Sequence, residues 1–288
     1  MYDNLVFYNH FGAGDLFESR EFVKEVMRTV PAKEYYYSHQ KNTRMFEDIP
    51  ELKYIPLDNR MNVTRSCVTM SNDLFFNTWI GRDSNYVLPK IGCVVEKNFQ
   101  MFNDTLRELS LPQLKGSAYD YMPNPDPLAF NIKPIDEFVT RTQGAKRVLI
   151  CNGMVYSLQA ENFPFTGIIR AVAEKHPDII FVITEDISDK PNNVYEVDSI
   201  VKSVDGFNLN EISYLAQFCD VIVGRKSGPA VFAHPLNVWK DGNKKSLSFT
   251  YGKEASHFVH SWDAFPLKKY WSPQTSESAV VNEIERIL

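Results

Sequence analysis

The sequence predicts an α/β protein of two domains, each a parallel sheet covered on both faces by helices. Three observations carry that expectation. Strand-length apolar runs alternate with helix-period segments in both halves of the chain. Pro123, Pro125 and Pro127 crowd the middle, where proline bars helix and removes ladder donors. The length of 288 residues suits either one large domain or two of about 140 residues each. The division reads as 1–128 and 129–288, with Tyr121 to Pro127 as part of a linker. The default ligand site of such a protein is the interdomain cleft at the carboxyl ends of the strands.

The elements follow in order. Leu5 to Tyr8 is a compact apolar strand, followed by the glycine-rich turn His10-Phe11-Gly12-Ala13-Gly14-Asp15. Leu16 to Val30 has Phe22, Val23, Val26 and Val30 near a 3.6 period, so it reads as a helix, and Pro31 stops it. Glu34 to Tyr37 reads as a strand and Asn42 to Ile49 as a short helix. Tyr54 to Pro56 and Leu74 to Trp79 are strands, and Val94 to Leu109 is a helix with Val95, Phe99, Phe102 and Leu106 on one face. Pro134 to Thr142 is a connecting helix.

The second series opens with the strand Arg147 to Cys151, the helix Phe165 to Lys175 and the strand Ile179 to Thr184. The helix Asn210 to Phe218 follows, with Asn208 or Asn210 as its N-cap. Val221 to Val223 is a strand, Gly224 to Pro229 a turn, and a helix starts at Ala230. Ser246 to Tyr251 is a late strand and Ser278 to Leu288 a terminal helix. No internal repeat interrupts this alternation.

Composition excludes several classes. Hydrophobic residues are 44% and aromatic residues 13%, too much core material for a disordered chain. No apolar run reaches the roughly 18–20 residues of a membrane span. Met1-Tyr2-Asp3-Asn4 lacks the basic start of a signal peptide. Cys67, Cys93, Cys151 and Cys219 form no close pair, which argues against a disulfide framework and for free thiols in a reducing cytoplasm. The net charge of −5 divides into −3 for residues 1–128 and −2 for 129–288. Neither half is a basic module, so nucleic acid is not the favoured partner.

Four constellations can carry chemistry. In the first, Gly12 and Gly14 permit a tight turn, and Asp15 lies where a helix begins, either as a cap or as a base facing the cleft. Position 17 is Phe, so this is no dinucleotide fingerprint, and no Gly-Lys-Ser/Thr P-loop occurs. In the second, an apolar strand runs into Gly224-Arg225-Lys226-Ser227-Gly228-Pro229. Proline near the first helical position, two cations, a hydroxyl and free amides suit a phosphate or diphosphate. In the third, Cys151-Asn152-Gly153-Met154-Val155-Tyr156-Ser157-Leu158-Gln159 ends a strand, either as a plain polar loop or as a contact for a nucleotide, with Glu185 ending the next strand. In the fourth, Asn77 to Arg82, Trp79 is either a packed aromatic or the wall of an acceptor pocket.

No metal pattern emerges. The six histidines make no HExxH, and His257 and His260 lack a carboxylate set around them. Glu185-Asp186 is not a DxD. A metal-independent chemistry is expected.

The strand–GxGD–helix at Asp15, paired with the strand–turn–Ser227-Gly228-Pro229–helix, resembles the heptosyltransferase-like branch of the GT-B glycosyltransferases. That resemblance implies two Rossmann-like domains, the first for the acceptor and the second for the donor. It also implies sugar transfer from a nucleotide-sugar donor to a hydroxyl acceptor, with inversion and with no cofactor beyond that co-substrate. Asp15 corresponds to the base, with His10, Gly14 and Trp79 on the acceptor side. Asn152, Gly153, Glu185, Arg225, Lys226, Ser227 and Gly228 fall on the donor side. Three other functions stay open at this level. One is sugar transfer to modified bases in phage-type DNA, another a GT-B-shaped epimerase or phosphorylase, and the third a binding protein without turnover.

Overall fold

The computed structural model describes residues 1–58, 60–83, 94–156, 160–252 and 264–288. The chain divides into two compact units, Met1–Asn124 and Pro125–Leu288. The first therefore ends four residues before the boundary expected from the sequence. Single-turn 3-10 helices, Ala118–Tyr121 and Pro127–Ala129, flank the junction. The Asp126 side chain caps the second of these by accepting from the Leu128 amide at 3.0 Å.

The first unit runs β1 (Tyr2–Tyr8), α1 (Ala13–Thr29), β2 (Ala32–Ser38), a 3-10 turn (Thr43–Phe46), β3 (Leu52–Ile55), β4 (Cys67–Met70), β5 (Asp73–Asn77) and α2 (Val94–Glu108). Its sheet has the order β3-β2-β1-β5-β4. The unbroken apolar run of β1 predicts a strand buried on both faces, and Leu5 through Tyr8 are at most 3% exposed. Leu16, Phe22, Val23 and Val26 of α1 cover one face together with Met101, Phe102 and Leu106 of α2, and the Phe22 and Phe102 rings stack at 5.1 Å. Val6, Tyr8, Met61 and Phe75 form a smaller cluster. Each enclosed side chain of this size contributes about 1.5–3 kcal/mol.

Two expectations are corrected in this unit. The sheet is not wholly parallel, because β4 pairs antiparallel with β5. Only Ser71 and Asn72 join the two strands, with Ser71 at φ +53°, and a parallel return needs a crossover of a dozen residues or more. The short helix expected over Asn42 to Ile49 shrinks to one 3-10 turn, capped by Asn42, whose side chain accepts from the Arg44 amide.

The second unit runs α3 (Lys133–Arg141), β6 (Arg147–Cys151), α4 (Thr166–Lys175), β7 (Ile180–Ile183), β8 (Val194–Glu196), α5 (Val197–Ile200), α6 (Leu209–Ala216), β9 (Val221–Arg225), α7 (Gly228–Phe232), α8 (Leu236–Trp239), β10 (Lys245–Phe249), β11 (Lys268–Ser272) and α9 (Glu277–Ile287). The sheet order is β11-β10-β9-β6-β7-β8, and every pairing is parallel. Counted from β6, this is the 3-2-1-4-5-6 order of the Rossmann fold. Alternate residues Val148, Ile150, Phe181, Ile183, Val221, Val223, Leu247 and Phe249 pack against Ile168, Ile169 and Val172 of α4 and Val280 and Ile284 of α9. Leu149, Cys151, Val182 and Ile222 are at most 1% exposed on the other face, so this sheet is covered on both sides.

Local boundaries also move. The strand expected at Val221–Val223 continues to Arg225, and the helix after it starts at Gly228 rather than Ala230. Asn208 occupies the N-cap of α6, yet its side chain makes no capping bond. In each sheet the strand order reverses once between parallel neighbours, at β1/β5 in the first unit and at β6/β9 in the second. A crevice outside the carboxyl ends of the strands at such a switch point is where open α/β sheets bind ligands.

Candidate functional site

The β1/β5 switch point gathers the first group. β1 ends at Tyr8, and Gly12 is the N-cap of α1, so Asp15 stands in the helix's first turn as its third residue and not as its cap. The Asp15 carboxylate is half-buried. One of its oxygens lies 3.2 Å from the position a Gly12 Cβ would take, so glycine leaves the carboxylate its space. Gly14 sits in the same turn and is half-buried.

An aromatic cluster adjoins this turn. The His10 ring meets Trp79 edge-on at 4.4 Å, and Phe11 stacks on Trp79 at 5.3 Å with an angle of 27°. Trp79 is thus a packed aromatic and, with Phe11 44% exposed, also part of an accessible surface. Burial lowers the pKa of His10, and its Nδ1 is enclosed without a hydrogen-bond partner. Asn77 aims the tryptophan: its Oδ1 accepts from the Trp79 amide at 3.0 Å, while its Nδ2 donates to the carbonyls of Val63 and Arg65.

Beneath the cluster runs a buried polar chain that the motifs did not reveal. Ser19 Oγ lies 3.0 Å from the Tyr37 hydroxyl, which lies 2.5 Å from Thr78 Oγ1. Asn9 Nδ2 reaches Thr78 Oγ1 at 3.4 Å. Burial raises the Tyr37 pKa and the Asp15 charge adds to the rise, so the tyrosine stays protonated. The signal in the sequence was Asn9 and Asn77-Thr78, polar residues placed directly after apolar strands.

The β6/β9 switch point gathers the second group. Asn152 is a staple between strand ends. Its Oδ1 accepts from the amides of Thr184 and Glu185 at 3.0 and 2.9 Å, and its Nδ2 donates to the Glu185 carbonyl at 2.7 Å. Its amide is therefore spent on the protein. Glu185 is exposed and its carboxylate overlies Gly153, where a Cβ would come within 2.8 Å of Oε1. Gly224 is required for a similar reason, since a Cβ there would stand 2.8 Å from Cys151 Cβ and 3.0 Å from Cys151 O.

Arg225 differs from the surface cation suggested by its sequence setting. It is 3% exposed. Its Nη1 donates to the Phe163 carbonyl at 2.8 Å and its Nη2 to the carbonyls of Asn152 and Gly153 at 2.6 and 2.8 Å. The guanidinium carbon lies 5.2 and 5.0 Å from the Phe163 and Phe165 ring centres. Burial lowers its pKa and the Glu185 charge opposes that. Arg225 thus fixes the loop after β6 rather than reaching outward.

Lys226 is half-buried and forms no ion pair with a described residue. Ser227 is 5% exposed. It holds the N-cap position of α7 without a side-chain capping bond, and its Oγ is enclosed with no hydrogen-bond partner. Gly228 follows as the first residue of α7. Ser248, opposite Gly224 in the register of β10, also has an enclosed, unpartnered Oγ; nothing in the sequence pattern marked it.

Cys151 and Cys219 are free and fully buried, and Cys67 is free and half-buried. Cys93, Ser157, Leu158, Gln159, His257 and His260 lie outside the described residues. Among the described residues, no group of three or more His, Cys, Asp or Glu side chains is placed to hold a metal ion, and no helix is long and apolar enough to cross a membrane.

No protein-family model matches the chain, and no curated protein matches its sequence. Solved structures do match its fold. A glycosyl transferase family 9 protein from Veillonella parvula DSM 2008 aligns over 100% of this chain and 90% of its own, with a TM-score of 0.54 and 12% identity. The ADP-heptose LPS heptosyltransferase II of E. coli aligns over 99% and 98%, with a TM-score of 0.53 and 12% identity. The E. coli heptosyltransferase WaaC, solved with ADP-2-deoxy-2-fluoro heptose, aligns over 98% and 99%, with a TM-score of 0.53 and 8% identity. At such identities the likeness is one of fold, two Rossmann-like domains of the GT-B type.

Proposed function

We propose that this chain, whose fold is that of the GT-B heptosyltransferases, transfers a sugar from a nucleotide-activated donor to a hydroxyl acceptor with inversion. The observation that carries the reading is the content of the two switch points. One holds Asp15 beside an accessible aromatic surface. The other holds Lys226 and the unpartnered hydroxyl of Ser227.

In this reading Asp15 accepts the proton of the acceptor hydroxyl. The acceptor oxygen then forms its bond to the anomeric carbon as the bond from that carbon to the diphosphate oxygen breaks. Lys226, Ser227 Oγ and the Gly228 amide stabilise the charge that grows on the departing diphosphate. Glu185 follows the second strand of its unit, where an acidic side chain accepts from ribose hydroxyls in Rossmann folds. His10, Gly14 and Trp79 form the acceptor side. Asn152 and Arg225 are positioning residues: they hold the loop around Gly153 by hydrogen bonds to backbone groups. No step is assigned to a metal ion. The buried free thiols Cys151 and Cys219 support a reducing, cytoplasmic setting.

A thermal-shift series with nucleoside diphosphates and nucleotide sugars tests the donor half. A ligand at about 100 times its dissociation constant stabilises by about 2.7 kcal/mol, so at least one nucleotide family is expected to raise Tm clearly. Lys226→Ala and Ser227→Ala are expected to remove most of that shift. A flat response to every nucleotide would sink the reading.

A further inference from the structure

A cavity of about 210 Å³ opens at the ends of β2 and β3 in the first unit. Tyr37, His39, Phe46 and Tyr54 form part of its wall. Phe46 stacks on Tyr37 at 4.4 Å with an angle of 21°. His39 lies 6.0 Å from Phe46 and 5.0 Å from Tyr54, centre to centre. Tyr54 is 40% exposed and leaves the cavity open to solvent on its side. Phe46 is held in place from behind: Arg20, which stacks against its ring at 5.2 Å, donates to the Met45 carbonyl at 2.6 Å and pairs with Asp48.

His39 supplies a buried polar group to this wall. His39 is 2% exposed, and its Nδ1 accepts from the Lys41 amide at 3.1 Å. Burial pulls its pKa down to about 4, so the ring is neutral at neutral pH. With Nδ1 accepting, the single ring proton sits on Nε2, and Nε2 has no hydrogen-bond partner among the described residues. The charged side chains of the wall are neutralised locally. Glu47 takes both forks of Arg44 at 2.9 and 2.8 Å, and Lys53 pairs with Glu34 at 2.5 Å.

These features select an occupant. A charged ligand would lose hydration here without gaining a counter-charge. A purely apolar one would leave the His39 donor unsatisfied. The volume lies below the roughly 300–1,000 Å³ of drug-sized sites, which restricts the occupant to one ring. A neutral pyranose meets all three conditions, with an apolar face for the Tyr54 ring and hydroxyl oxygens for Nε2–H.

We infer that this cavity is a subsite for an uncharged sugar ring of the acceptor, with the exposed Tyr54 ring against its apolar face and His39 donating to a hydroxyl. The inference rests on the reading of the first unit as the acceptor unit. The cavity and Asp15 share the carboxyl edge of one sheet, β2 being the neighbour of β1. Tyr37 connects them, since its ring belongs to the cavity wall and its hydroxyl to the polar chain beneath the Trp79 cluster.

Saturation-transfer NMR on the full chain, with methyl glycosides of neutral hexoses as probes and glucuronate as the charged control, tests this. At least one neutral hexoside is expected to bind, glucuronate to bind more weakly, and Tyr54→Ala and His39→Ala each to weaken the hexoside by about tenfold or more. The nucleotide-induced thermal shift is expected to persist in both variants, which also shows that they fold. Hexoside binding that is absent in the parent chain, unchanged in both variants, or weaker than that of glucuronate overturns the subsite. If that happens while the nucleotide shift remains, the transferase reading survives without it. If the hexoside binds through Tyr54 and His39 while all nucleotides give a flat response, the cavity remains a sugar site, but the transferase reading falls and the acceptor role with it.

Discussion

Asp15→Asn is expected to lower sugar transfer by about 10²–10⁴-fold, the usual contribution of a positioned proton acceptor, while nucleotide binding stays unchanged. Asparagine keeps the shape of the side chain, so the turn at Gly12 to Asp15 has no steric reason to move. It removes the group that accepts the acceptor's proton in the proposed mechanism. The loss should appear in kcat, because the hydroxyl must be deprotonated as it attacks, whereas the proposed donor contacts reside on the other unit's switch point. Steady-state kinetics with a competent donor–acceptor pair measures it. Full transfer by the Asp15→Asn enzyme removes Asp15 from the mechanism.

The second large effect is on stability. Asp48→Ala is expected to destabilise the first unit by about 3–5 kcal/mol, because it strands the charge of Arg20 inside the protein. The side chains of Arg20 and Asp48 are both completely enclosed. Arg20 also lies 5.5 Å from the Phe17 ring centre and 5.2 Å from that of Phe46, so it cannot swing to water without opening the packing. The double variant Arg20→Met, Asp48→Leu should recover much of the loss, since a buried ion pair exchanged for apolar residues is often neutral or stabilising. Urea unfolding of the three proteins separates the cases. A cost below about 1 kcal/mol for Asp48→Ala, the scale of an exposed pair, contradicts the buried-pair description.

The fold was legible where one physical pattern dominated. Val148 to Cys151 and Leu5 to Tyr8 are apolar throughout because both sheet faces are covered there, and their strand character follows. β4, β8 and β11 were not legible. Cys67–Met70 is an edge strand of four residues with two of them exposed, Val194–Glu196 has three residues, and Lys268–Ser272 begins with two lysines. Edge strands with one ladder partner need little apolar character and leave a weak signal.

The candidate site was legible at the level of motif and not of role. Asp15 and Ser227 lie at the switch points to which glycine-rich turns after apolar strands pointed. Arg225 and Lys226 are neighbours with the same formal charge, yet strand alternation turns Arg225 back onto Phe163 and Phe165 and leaves Lys226 without a described ion partner. Composition cannot separate them; the register of β9 does. His39 and Tyr54 were invisible for a further reason. Their cavity exists only because the Thr43–Phe46 turn brings Phe46 over the ends of β2 and β3, and that turn is anchored by Arg20 from another element.

The most direct test of sugar transfer follows nucleoside diphosphate release from the nucleotide sugar that gives the largest thermal shift, with and without an added hydroxyl acceptor. The expected result is release that depends on the acceptor and is lost in Asp15→Asn. Consumption of the nucleotide sugar at the same rate without any acceptor, or tight nucleotide binding with no turnover under any acceptor, would contradict it, the first in favour of an epimerase and the second in favour of a binding protein.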